Sequence, residues 1–306
     1  MMNKPGSNTS FFAARSRRQG LLNCTGPSRN RMVRMRLIPV LLLFSLASFG
    51  IAQQGPALKH RVFAYWGYNR AQFTTSSIRF TGGNYDFILH DVVAKDKPEA
   101  FTLNNYFNPK NIWIPQYNYR AGWFLNDKWS FSIGLDHMKY VVVKDQRVKL
   151  TGTISRERSA TYATNGETGE VRITPDFLAY EHTDGLNLLA LDADHYSRMW
   201  TSRNGRQALY FTQGIFAGPV IPRTDVRLFG EGINNKFHLA GYGAGAQLGL
   251  FALVADRVFL RANARAGYIE LPSVLTTGKS EDRASQHFWF MEENVVLGVL
   301  IGRTRK

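Results

Sequence analysis

The sequence predicts an all-β chain closed into an antiparallel, up-and-down transmembrane β-barrel of about eight strands, with ten as the alternative count. Three observations carry this reading. The stretch from Phe237 to Leu271 alternates apolar with small or polar residues on both sides of a break at Ala255 and Asp256, and a period of two is the mark of strands. Both halves are longer than the five or six residues usual in soluble sheets and fit the roughly 9 to 11 tilted residues that cross a bilayer. The breaks near 126, 203 and 255 are short, whereas those at 94–111, 144–184, 218–236 and 272–285 are long, the habit of barrels with short periplasmic turns and long external loops.

Residues 1–52 read as a leader. From Met32 the chain runs MVRMRLIPVLLLFSLASFGIAQQG: Arg34 and Arg36 form a positive start, Leu37 to Phe49 an apolar core, and Gly50-Ile51-Ala52 a small-x-small cleavage site before Gln53. The apolar run is shorter than the roughly 20 residues of a spanning helix, so it reads as an export signal. Residues 1–31 lack acids and periodicity and read as upstream sequence translated from a start placed too early. The mature chain, 53–306, is then a single barrel domain destined for the bacterial outer membrane.

Within it, the first wall strand is expected over 78–93, where Tyr85, Phe87 and Leu89 alternate with Asn84, Asp86 and His90. LKHRVFAYWGYNRAQF before it reads as an additional strand or an ordered lead-in. Trp113 to Leu125 and Trp129 to Leu135 form a hairpin about Asn126 to Lys128, and 144–184 an external loop with a ribbon of its own. Residues 185–200 and 207–217 pair about a turn at 202–205. In the 237–271 hairpin, Ala240, Tyr242, Ala244, Ala246, Leu248 and Leu250 face lipid with Val258, Leu260, Ala262 and Ala264, while Tyr242 and Tyr268 share a level suited to an aromatic girdle. Phe288 to Gly302 closes the wall.

Composition agrees with a barrel and excludes other classes. The 306 residues are 44% hydrophobic and 13% aromatic, with mean hydropathy of −0.25, too polar for a helical membrane protein. Of the formal charge of +15, the leader supplies +8, because it holds eight of the 38 Lys and Arg and none of the 23 acids. The remaining +7 argues little for nucleic acid. The one cysteine, Cys24, lies in the leader, so the mature chain has no disulfide or thiolate metal site. His60, His90, His137, His195, His238 and His287 stand singly, without metal-ligand spacing, and neither a cofactor motif nor a phosphate loop is present.

The alternation places Arg120, Arg261 and Arg265 in the lumen with Asp86, Asp136, Asp192, Asp194 and Glu292. An eight-stranded barrel is just wide enough to be filled by side chains, and buried charges of both signs must pair. Arg120 and Asp136 are expected as a diagonal pair across their hairpin. For catalysis the candidates are His182 and Asp184 in EHTDGLN, at the rim of a strand.

The phrases YWGYNR, YDFILHDVVAKDKP, IPQYNYRAGWFLNDKWSFSIGLDHMKYV, EHTDGLN and NKFHLAGYGAGAQLGL resemble those of small outer-membrane β-barrel proteins of Gram-negative bacteria, over nearly the whole mature chain. The resemblance implies fold and location, in a group largely without assigned activity. Such barrels often end in an aromatic residue read by the insertion machinery, whereas this chain ends VLIGRTRK. Lipid A deacylases of the same membrane carry His-x-Ser, and Asp184 stands here where their serine nucleophile would. The expected function is an integral barrel with a plugged polar lumen and external loops serving surface structure, adhesion or ligand contact. The alternatives are a membrane-embedded acyl hydrolase and a narrow uptake channel for a small apolar solute. The expected partners are outer-membrane lipid, lipopolysaccharide and the insertion machinery.

Overall fold

A computed structural model describes residues 55–232 and 236–302; the leader and its expected cleavage site lie outside the described residues. The strands, in chain order, begin with β1 (Val62–Phe73), β2 (Ser76–Gly82), β3 (Tyr85–Val92) and β4 (Ala94–Lys95). A five-residue helix α1 (Leu103–Phe107) precedes β5 (Tyr117–Phe124), β6 (Trp129–Val142), β7 (Arg147–Ile154), β8 (Thr164–Asn165) and β9 (Gly169–Arg172). There follow β10 (Leu178–Thr201), β11 (Ala208–Val220), β12 (Asp225–Leu228), β13 (Gly241–Ala255), β14 (Val258–Leu275) and β15 (Arg283–Ile301).

Eight of these form the wall in the order β1, β5, β6, β10, β11, β13, β14, β15. The ring closes where β1 pairs antiparallel with β15, from Val62 opposite Ile301 to Phe73 opposite Phe290. Closure leaves no unpaired edge in the wall, the condition for strands to cross hydrocarbon. Alternate residues then divide between two environments. Trp123, Phe131, Ile133, Ile215, Leu248, Leu260, Val295 and Leu297 are exposed on the outside, while Asn118, Arg120, Ser132, Asp136, Arg261 and Glu292 are buried inside. A contiguous apolar belt around a polar interior is the architecture of a transmembrane barrel. Tyr242 and Tyr268 lie near one level, offset by two pairs in the register, with Tyr242 opposite Glu270 and Tyr268 opposite Ala244.

Two expectations need correction. The segment 78–93 is not a wall strand: β2 and β3 form a hairpin beyond the ring, held by the outer end of β15 and continued by β7. Its apolar residues Ile78, Phe80, Phe87 and Leu89 are fully buried against Tyr140, Phe177 and Tyr180, so their alternation reports a water-free core and not lipid. The first wall strand is β1. Its inward face carries Phe63 and Tyr65 while its outward face carries Val62, Ala64 and Trp66, so no polar alternation betrays it. Asp86 consequently does not enter the lumen. It pairs with Arg79 at 2.7 Å with both side chains about half exposed. The segment 144–184 contains a ribbon, β7 with β8 and β9, and its last residues begin the long β10.

The interior is stacked in three layers. At the end carrying the short turns, Phe63, Tyr65, Phe124, Tyr196, Tyr210, Phe251 and Phe259 form an aromatic plug. A charged layer fills the middle. Beyond it, Met138, Tyr140, Phe177, Tyr180, Leu186, Leu188, Ile269, Leu271 and Phe288 join β2, β3, β7 and β12 in an apolar core that caps the end of the long loops.

Candidate functional site: a charged lumen and a cleft on the outer wall

The charged layer is built from inward positions of six wall strands, β5, β6, β10, β13, β14 and β15. Asn118 stands opposite Asp136, and Arg120 two pairs further along, opposite Gly134. A Cβ on Gly134 would collide with the Arg120 side chain and the Tyr119 carbonyl, so glycine there makes room for the guanidinium to lie across the strand. Arg120 donates through Nη1 and Nη2 to the two Asp136 oxygens at 2.8 Å each, and through Nε to Asp192. Arg265 brings Nη1 to 3.1 Å from Asp192 and Nη2 to 3.1 Å from Asp136, and its guanidinium lies 4.0 Å from the centre of the Phe216 ring.

Gln247 links the two halves. It accepts from Arg265 at 2.6 Å and donates to Asp194 at 2.7 Å, while Arg261 donates to Asp194 at 2.9 Å and to Asn263 at 2.7 Å. Asn263 donates to Asn294, which donates to Glu292 at 2.9 Å; Asn118 reaches the same Glu292 oxygen at 2.7 Å and also donates to Asp136. Seven of the eight charged residues expected in the lumen therefore meet, Arg120, Asp136, Asp192, Asp194, Arg261, Arg265 and Glu292, while Asp86 lies outside it with Arg79. Asn118, Gln247, Asn263 and Asn294 complete it. Their place on the inward face was the signal for them, although an amide carries no charge to be balanced and so attracts less notice.

His182 and Asp184 are not brought together. β10 changes register between His182 and Leu186, with Gly185 in the left-handed region at φ +120°, and the change sends the two side chains apart. His182, beyond the membrane-spanning part of β10, is fully buried, with Nδ1 2.9 Å from the Thr224 hydroxyl and the Tyr140 and Tyr180 rings beside it. Burial, with a smaller contribution from His238, holds its pKa down at about 3. Asp184 is at the surface, 3.3 Å from Arg223. Among the described residues, no group of three His, Cys, Asp or Glu is placed to hold a metal.

A second feature lies outside the wall. His137 and Lys139 continue the outward face of β6 beyond Ile133 and Leu135, and Tyr117 that of β5. The segment 97–116 straps across them. Lys139 Nζ holds it by donating to Glu99 at 2.8 Å and to the Ile114 carbonyl at 3.1 Å, and Arg70 holds Tyr106 at 2.6 Å. Between strap and wall opens a cleft of about 480 Å³ lined by Lys97, Trp113, Tyr117, His137, Asp184 and Arg223 among others.

No family model matches the chain, and no curated protein does. Among solved structures it is similar to the outer membrane protein OprG of Pseudomonas aeruginosa, at 9% identity and TM-score 0.36, over 82% of this chain and 100% of that one. It is similar also to Neisserial surface protein A, at 9% identity and TM-score 0.27, over 76% and 95% of the two chains. The attachment invasion locus protein Ail of Yersinia pestis matches at 8% identity and TM-score 0.25, over 78% and 99%. At such scores the barrel assignment stands on this chain's own strand pairings, closed between β1 and β15.

Proposed function

We propose that the protein is an integral barrel of the bacterial outer membrane that serves the cell surface through its outer face and external cap, and that it neither conducts solutes nor catalyses a reaction. One observation carries this: the lumen is filled through its whole depth by an aromatic plug, a hydrogen-bonded charged layer and an apolar core. An open pore would need a wider ring. Acyl hydrolysis calls for an activated nucleophile beside a base and an acid to orient it. His182 instead sits in the core next to Thr224, and Asp184 is occupied with Arg223 at the surface. Full-length protein reconstituted into liposomes is the test: osmotic swelling in small sugars and amino acids should match protein-free vesicles. Swelling at porin rates would sink the plugged reading, and release of fatty acid from the vesicle lipid, abolished in His182→Ala, would restore the hydrolase.

A further inference from the structure

We propose that the cleft between the 97–116 strap and the outer wall binds the phosphorylated sugar headgroup of an outer-leaflet glycolipid, an inference that rests on the outer-membrane reading above. Position is the first ground. The cleft opens on the outward faces of β5, β6 and β10, directly beyond the exposed Tyr119, Ile133 and Leu191. A lipid whose acyl chains lie along these residues brings its headgroup to the cleft. The strap itself presents Phe101, Leu103 and Phe107, which are 74%, 75% and 66% exposed. Large apolar side chains grouped on a short loop are costly in water and favourable at the edge of a leaflet.

Chemistry is the second ground. The lining holds Lys97, Lys139 and Arg223 with Glu99 and Asp184, and Glu181 lies beside Lys97, so three cations face three carboxylates. Lys139 is committed to the strap. Lys97 and Arg223 sit in looser pairs, at 3.5 Å from Glu181 and 3.3 Å from Asp184, with partly exposed side chains. Pairs of this kind contribute little, so exchanging them for a phosphate with several strong acceptor oxygens is favourable. The aromatic wall supplies a surface for a sugar ring: Trp113, 56% exposed, stands edge-on to Tyr117 at 5.3 Å, and Tyr117 is stacked on His137 at 4.5 Å. The volume falls in the range of about 300 to 1,000 Å³ typical of small-molecule sites.

The test uses the full chain in detergent micelles and native mass spectrometry, with two probes: a hexa-acylated diglucosamine lipid bearing two phosphates, and its phosphate-free counterpart. The phosphorylated lipid should be retained roughly tenfold better, the value of one or two charge-assisted hydrogen bonds. Lys97→Gln with Arg223→Gln should remove that advantage, and Trp113→Ala should weaken both lipids, while Lys149→Gln, on β7 away from the cleft, should change nothing. Millimolar inorganic phosphate should not displace the lipid. Equal retention of the two lipids, indifference to the double variant, or displacement by inorganic phosphate each overturns the proposal. Heat-dependent gel mobility shows that each variant is a closed barrel. A wild-type chain that fails to insert into membranes defeats the outer-membrane reading, whereas one that inserts and retains neither lipid defeats the headgroup site alone.

Discussion

Arg120 shows how much one side chain in a closed ring can be held responsible for. It is buried, bidentate to Asp136 and in contact with Asp192, so truncating it leaves two carboxylates in a low-dielectric interior with Arg265 alone to balance them. Arg120→Met should destabilise by about 3 to 5 kcal/mol, and Asp136→Asn similarly, while the double variant should cost less than their sum by about 0.5 to 3 kcal/mol. Urea titrations in micelles measure all three; strict additivity would mean that the pair does not act as a unit. The pairing was legible in the sequence because inward positions are fixed by a period of two and a narrow barrel cannot hold lone charges. His182 was legible only as a residue, because the register change that separates it from Asp184 depends on Gly185 adopting a left-handed backbone. Its own signature is acid sensitivity. The folded-state pKa is depressed, so protons favour the unfolded form: the stabilisation is fully present above the usual value of 6.5 and is lost as pH falls toward about 3, by up to roughly 5 kcal/mol. His182→Gln, which keeps a partner for Thr224, should flatten the fall in cap stability between pH 6.5 and 4 seen by hydrogen exchange at β10 and β12. An unchanged slope would place the acid sensitivity elsewhere.

At the scale of a strand, β13 and β1 are opposite cases. On β13 the outward Tyr242, Ala244, Ala246, Leu248 and Leu250 are exposed, and the inward positions from Gly241 to Gly249 are glycines and Gln247, so the contrast between lipid and lumen is written along most of the element, up to the buried Phe251 and Leu253. β1 has apolar residues on both faces at its turn end, because its inward Phe63 and Tyr65 belong to the aromatic plug. The pattern that identifies a wall strand is thereby erased, and the stronger alternation of β3 draws the assignment instead. Apolar periodicity gives the face that avoids water but is silent on whether lipid or protein covers it. Depth separates the two. Leu248→Arg, at the middle of the belt, should cost about 2 to 4 kcal/mol, whereas Val254→Arg, next to the turn at Asp256, should cost about 1 kcal/mol or less. Equal costs would mean that the outer face of β13 is packed on protein and not on acyl chains.

For the whole molecule, the three layers act in series, and series blocks have a property that separates a plug from a gated channel. Current flows only if every layer is open, so removing one should leave the barrel silent. The aromatic layer is the one to remove, because it bears no charge and its loss does not disturb the ion pairs by electrostatics. Phe251 and Phe259 are nearly inaccessible, with ring centres 4.6 Å apart. Replacing either with Ala should cost about 3 to 5 kcal/mol through the cavity left behind, enough to lower the temperature at which the gel-mobility shift occurs. The charged layer and the apolar cap remain beyond that cavity, so planar-bilayer recordings of Phe251→Ala and Phe259→Ala should show no conductance steps, as for the unaltered chain. A single substitution that opens a stable pore would show that the other two layers already pass ions. The aromatic ring would then be a gate, and the uptake-channel reading would replace that of a surface barrel.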